Sequence, residues 1–318
     1  MSGTCRPKAC VSFGFSVAAL VAPFFFYPVL VMRVLCIALF ASAFNLLIGY
    51  TGLLSFGHAA FFGTAAYVAG HALKVWGFPT ELGILAGGLM AAGLGWIVGG
   101  LAIRRPGIYL TMITLALAQM MYFFFLQAPF TGGEDGLQDI PRGHLLGFID
   151  LRNDFTLYYF VFGIFILGFW LIHRTIHSPF GQILKAIREN EPRAVSLGYD
   201  VAKYKLLAFV LSAGISGLAG ATKAVVLQFA SLSDAHWQRS GEVVLMTLIG
   251  GMGTVFGGTV GAATIVTLED QLSDKVGSLV TVIMGIIFIA CVLAFRRGIV
   301  GEIVALYHRV VGGRHHDK

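Results

Sequence analysis

The chain has 318 residues, 57% of them apolar and only 12% charged, with a mean hydropathy of +0.82. Soluble domains carry about 25% charged residues, so the two soluble domains that the length alone would allow are excluded, and a polytopic membrane domain is expected. The net charge of +6 does not mark a nucleic-acid binder, because the basic residues flank apolar runs instead of gathering on one polar face. The 41 glycines suit close helix packing in lipid. Cys5, Cys10, Cys36 and Cys291 have no zinc-ligand spacing, so neither a disulfide nor a metal site is expected.

Residues 1–10 read as a polar tail, and 11–295 as a single transmembrane domain. The apolar run 11–31 is too long for a signal peptide and lacks a small-residue cleavage site, so it reads as an uncleaved first span. Further spans are expected at 34–48, 52–73, 82–103, 108–127, 157–172, 206–228 and 279–295. Two sizeable polar loops interrupt them, at 129–156 and 174–205, and a basic tail, 296–318, follows.

Orientation follows from the basic residues. With the N-terminus inside, 15 of the 22 Lys and Arg fall in inside segments, including the loop 174–205 and the tail. Both termini are therefore expected in the cytoplasm. That parity requires the stretch 241–268 to cross an even number of times or to enter and leave by one face. Its glycines, at 250, 251, 253, 257, 258 and 261, cut it into pieces of about 12 residues, near 18 Å each, against a hydrocarbon core of about 30 Å. A broken, re-entrant element is expected, and such elements are tolerated only against protein or a wet cavity. In transporters they point to the substrate path. The fold expected is all-α, with eight full spans plus this hairpin, or ten spans counted otherwise.

Within the loop 174–205, Ser178-Pro179 is an N-cap and first-turn pair, so a helix should run to about Glu189. Ile183, Leu184 and Ile187 give it an apolar stripe. Pro192 breaks it, a short helix should close on Gly198, and Asp200 can cap the helix that re-enters the membrane. A helix-turn-helix on one face of a membrane protein is a docking surface.

Candidates for a translocation path are Ser55, His58, Thr111, Thr114, Gln119, Gly251 and Gly258. An ionisable residue inside a span, such as His58, is a functional-site hypothesis by default, though a neutral imidazole bonded to a helix carbonyl is the plainer reading. Thr111 and Thr114 share a face with Gln119 near it, and they suit either a polar path or back-bonding to their own helix. Gly49, Gly52, Gly57 and Gly63 read as packing or bending points. Alanine is expected to be tolerated at Gly251 and Gly258, and a β-branched residue is not. There is no GxxxxGK[ST], HExxH, GxSxG or CxxC, which disfavours an ATP-hydrolysing chain or an intramembrane enzyme. An ion-coupled carrier would need acids within spans, whereas Glu81, Glu242, Glu269 and Asp270 fall at span edges.

Four stretches also carry a resemblance: IGYTGLLSFGHAAFFGTAAYVAG from Ile48 to Gly70, TGGEDGLQDIP from Thr131 to Pro141, KAIRENEPRAVSLGYDVAKYKLLAFVLSAGISGLAGA from Lys185 to Ala221, and LIGGMGTVFGGTVGAA from Leu248 to Ala263. Together they resemble the permease subunits of ABC importers for branched-chain amino acids, the LivM-like family, from about residue 30 to about residue 297. The resemblance implies a bacterial inner-membrane subunit that pairs with a homologous permease, two cytosolic ATPases and an external substrate-binding protein. ATP and Mg would be bound by the ATPases, with no cofactor in this chain. The loop 174–205 would be the ATPase-coupling loop, with Ile187, Glu189, Glu191, Arg193, Ala194 and Gly198 as contacts, Ala194 and Gly198 acting through their small size. Thr131, Gly132, Gly133 and Asp135 would face the binding protein. Related permeases carry urea or short amides, so the cargo stays open between these and leucine, isoleucine or valine. Lys223 departs from the small or apolar residue expected there, and could pair with Asp234 or Glu242 or snorkel outward.

Overall fold

The computed structural model describes residues 27–105, 107–145, 149–276, 279–294 and 298–302. The expected tail 1–10, most of the span 11–31 and most of the basic tail 296–318 lie outside them. The chain is an all-α bundle. Its helices are α1 (Pro28–Thr51), α2 (His58–Lys74), α3 (Thr80–Ala102), α4 (Ile108–Gln127), α5 (Asp154–His177), α6 (Pro179–Glu189), α7 (Glu191–Ser196), α8 (Val201–Leu227), α9 (Trp237–Gly250), α10 (Gly257–Val276) and α11 (Val280–Ala294). Among the described residues α1, α3, α4, α5 and α8 are long and apolar enough to cross a membrane. β1 (His144–Leu145) and β2 (Ile149–Asp150) form a minimal antiparallel pair, and Leu137 bridges Ala230 beside it.

The element bounds differ from the sequence expectation in instructive ways. Arg33, expected in a connection between two spans, lies inside α1, because Pro28 supplies a pre-set first turn and nothing between it and Gly52 breaks the helix. Gly52 then ends α1 in the left-handed conformation, φ +73°. The span expected at 52–73 is therefore only partly helical: residues 52–57 are non-helical and α2 starts at His58. The Gly-rich stretch is a down-and-up pair, but its helices are 14 and 20 residues long, not about 12. The Arg174–His177 turn belongs to α5.

We call the end of the bundle that carries α6 and α7 the lower end. The central helix α8 packs against α1, α2 and α3. Small residues allow this: any side chain on Gly220 would collide with the Phe62 backbone. Within α1, positions from Met32 to Thr51 are almost all buried, so this helix forms the middle of the core. Helix α10 runs antiparallel to α1. Glu269 lies 3.5 Å from Arg33 near the upper end, the Ser42 and Thr259 hydroxyls meet at 3.1 Å, and Asn45 reaches the 253–254 backbone at the lower end. Helix α11 then descends, because Gly298 packs on Gly251 at the hairpin tip. Residues 298–302 thus lie at the same end as α6 and α7, as the parity argument requires.

Candidate functional site

At the lower end the local sequence builds the expected helix-turn-helix almost residue for residue. The Ser178 hydroxyl accepts from the Gly181 amide at 3.3 Å and starts α6. The Asn190 side chain accepts from Arg193 N at 3.1 Å and starts α7, and Asp200 accepts from Lys203 N at 3.2 Å and starts α8. The Lys203 ammonium also hydrogen-bonds this carboxylate, which lowers the Asp200 pKa below its ordinary value. Gly198 sits at φ +86°, with the Tyr199 amide donating back to the Ala194 carbonyl at 3.2 Å, a Schellman-type stop.

The loop has its own small core of Ile187, Ala194 and Val201. Glu191 is tied to the nearly buried Lys205 at 2.7 Å, which fixes α7 on α8. Of the six coupling residues expected from sequence, Ile187 and Ala194 therefore point into the loop itself, while Glu189, Glu191, Arg193 and Gly198 lie on its surface. Gly198 has open space where a side chain would stand, so within this chain its constraint is the positive φ and not size. The outward apolar residues are ones the pattern did not single out: Val195, Leu197 and Tyr199, 57%, 67% and 39% exposed. They lie on and just after a short helix with no stripe long enough to show a period.

Arg188 was also passed over. Its guanidinium donates to the Gly49 carbonyl, one of the carbonyls left over at the end of α1. Beside it, Asn45 donates to the Thr254 carbonyl at 2.7 Å and accepts from the Gly253 amide at 3.0 Å. The available signals were modest: Arg188 lies four residues after the buried Leu184, and Asn45 is a lone amide in an apolar helix.

The path candidates fall into two groups. His58 is fully buried and ringed by Phe44, Phe61 and Phe209; its Nε2 lies 2.9 Å from the Ser212 hydroxyl, which itself donates to the Ala43 carbonyl. That is the plainer reading, with a serine interposed. Ser55, Thr111 and Thr114 instead serve the non-helical segment 52–57. Thr111 donates to the Leu54 carbonyl at 3.1 Å, Thr114 accepts from the Phe56 amide at 3.2 Å, and Ser55 accepts from the Gly57 amide at 3.2 Å. Thr114 also back-bonds to Thr111. These hydroxyls satisfy backbone groups that a helix would have satisfied by itself. Gln119 is half-buried on α4, apart from them. Gly251, at φ +112°, turns the hairpin tip, and Gly258 lies so close to α1 that a Cβ would stand 2.7 Å from the Ala41 and Ser42 backbone. The expectation that alanine is tolerated there is corrected by this contact.

The upper end is held by charges. Lys223 is buried, forms an ion pair with the buried Asp234 and sits 5.7 Å from the Phe62 ring centre. Arg239 lies 4.0 Å from Asp234 and 2.5 Å from Glu242. In the loop 129–156, Thr131 turns inward and donates to the Phe125 and Ala128 carbonyls, whereas Gly132, Glu134 and Asp135 are exposed and Gly133 is half-buried.

Comparison with known proteins agrees with this architecture. Residues 26–292 match the family described as the branched-chain amino acid transport system permease component. The high-affinity branched-chain amino acid transport permease LivM of Escherichia coli is 28% identical over 72% of this chain and 60% of its own length. The Salmonella typhimurium LivM is 27% identical over the same shares. The L-arabinose ABC transporter permease AraH of Azospirillum brasilense is 26% identical over 59% of this chain and 56% of its own. The chain thus spans about three-fifths of the curated LivM relatives it matches. No solved structure matches. With a bundle of apolar helices matched over nearly its whole described length, the chain is a multi-pass membrane protein of the branched-chain amino acid transport permease family.

Proposed function

We propose that the chain is the membrane permease subunit of an ATP-driven importer in the bacterial inner membrane, with its lower end in the cytoplasm, and that its cargo is leucine, isoleucine or valine. The observation that carries this reading is the α6–α7 loop: a small helical unit that seals its own core and turns Val195, Leu197 and Tyr199 outward at one end of a bundle of spans. An exposed apolar cluster rimmed by Glu189, Glu191 and Arg193 suits a groove on a soluble partner. In the reading proposed, that partner is a pair of ATPases, which bind ATP and Mg, and a second homologous permease completes the path. An external binding protein would dock on the exposed part of 132–135. Transport is then a rigid-body displacement passed from the loop to the spans.

Leu197→Glu places a charge in the centre of that contact. It should abolish co-purification of the ATPase subunits while the chain remains inserted and monodisperse. Wild-type recovery of the ATPases with Leu197→Glu overturns the docking role of this loop. Cargo is tested separately, by uptake of labelled leucine, urea and arabinose into vesicles holding the reconstituted complex. Uptake of urea or arabinose without leucine would replace the cargo and leave the rest of the reading standing.

A further inference from the structure

The tip of the glycine hairpin and the α6–α7 loop come from stretches some 60 residues apart, yet they meet at one point. Arg188 of α6 caps α1 at the Gly49 carbonyl. A Cβ placed on Gly253, at the tip, would stand 3.4 Å from the Arg188 guanidinium and 3.2 Å from that same carbonyl. One turn up α1, Asn45 holds the tip by both its amide hydrogen and its carbonyl oxygen, clamping Gly253 and Thr254. Lys185 adds a second grip of α6 on α1, its ammonium 5.6 Å from the centre of the Tyr50 ring. The hairpin tip is otherwise non-helical backbone, with Gly251 and Gly253 both at positive φ.

We propose that Arg188 is the latch through which the α6–α7 loop moves the hairpin tip, so that the tip, and not the helix bundle as a whole, is the part that opens and closes the lower end of the path. This rests on the reading of the loop as an ATPase-docking element. The placement of this cation between α6, the last turn of α1 and the hairpin tip suits the role: its guanidinium donates to the Gly49 carbonyl and stands beside Gly253. A displacement of α6 then carries the 251–256 backbone with it, while α9 and α10 bend about their upper ends.

The test uses the complete importer in vesicles. In the wild type, spin labels at Gln182 on α6 and Met252 on the tip should keep a constant separation between nucleotide-free and ATP-trapped states. Both should move against a label at Leu101 on α3. With Arg188→Gln, substrate transported per ATP should fall by about tenfold or more, the size of ordinary coupling between two sites, and the tip should stop following α6. Arg188→Lys keeps the cation and should recover part of the ratio. A merely structural arginine would lower the yield of complex and leave the ratio unchanged, which overturns the proposal. So does a wild-type tip that stays fixed while α6 moves, a result that needs no variant to fold. If the wild-type chain captures no ATPase, the functional reading fails and the latch falls with it.

Discussion

The two ends of the glycine hairpin are fastened by different chemistry. Near the upper end, Lys223–Asp234 and Arg239–Asp234 tie α8, the turn before α9 and α9 itself together by charge, and Arg33–Glu269 ties α1 to α10. Near the lower end, the same hairpin is held by the two hydrogen bonds of an asparagine amide and by glycines packed backbone to backbone. A buried ion pair is expensive to separate, because each partner alone is an uncompensated charge. A hydrogen bond between neutral groups contributes only about 1 kcal/mol net and can be exchanged for another. The upper end is therefore a fixed pivot and the lower end a joint that can be remade.

The contrast is broken most severely at Lys223. Lys223→Met leaves Asp234 buried against only the more distant Arg239, and should destabilise the chain by about 3–5 kcal/mol, read as a fall in melting temperature in detergent. Adding Asp234→Asn should restore most of it; if the double variant is no better than the single, the pair is not the pivot. Next comes Gly258, where the α1 backbone leaves no room. Gly258→Ala should already cost about 1–3 kcal/mol by overpacking and lower transport, and Gly258→Val should block it. Normal uptake with Gly258→Val would show that the hairpin does not pack on α1 as described.

Smaller effects sharpen the picture of the lower loop. Gly198→Val should cost about 1–2 kcal/mol through its left-handed backbone, whereas Gly198→Asn should be close to neutral, since asparagine tolerates that conformation. Equal loss of transport in both would mean that size in the assembled complex matters after all. Smallest is Glu269→Gln at the partly exposed Arg33 pair, which should change stability by about 1 kcal/mol or less. A larger loss would show that this pair is shielded from water in the membrane and belongs with Lys223 in the pivot.

Much of this was legible in the residues. Ser178, Pro192, Gly198 and Asp200 act through contacts a few positions away, so the outline of the α6–α7 loop could be drawn before any coordinates. The even parity of the hairpin followed from charge counting and agrees with where Gly298 lies. What could not be read depends on distant partners. Gly52 marks where the helix stops, but the partners that hold the rest of 52–57 open, Thr111 and Thr114, lie more than 50 residues on. Lys223 admitted two partners by sequence, and only the turn at 232–234 chose between them. Arg188 carries no local signal, because the carbonyl it caps belongs to another helix.

If this loop docks a soluble partner as proposed, the outward cluster of Val195, Leu197 and Tyr199 has a consequence for the life of the chain before it meets that partner. The exposed apolar side chains of α3, α4 and α5, such as Leu89, Phe123 and Leu167, lie on helices that lipid would cover, but Val195, Leu197 and Tyr199 sit on a polar loop between spans. A freshly inserted copy without such a partner would carry an adhesive patch in water, the kind of surface that favours unwanted association. The same residues that would hold the assembly together thus make an orphaned chain conspicuous, and the cell's stock of this subunit should follow the supply of whatever covers them.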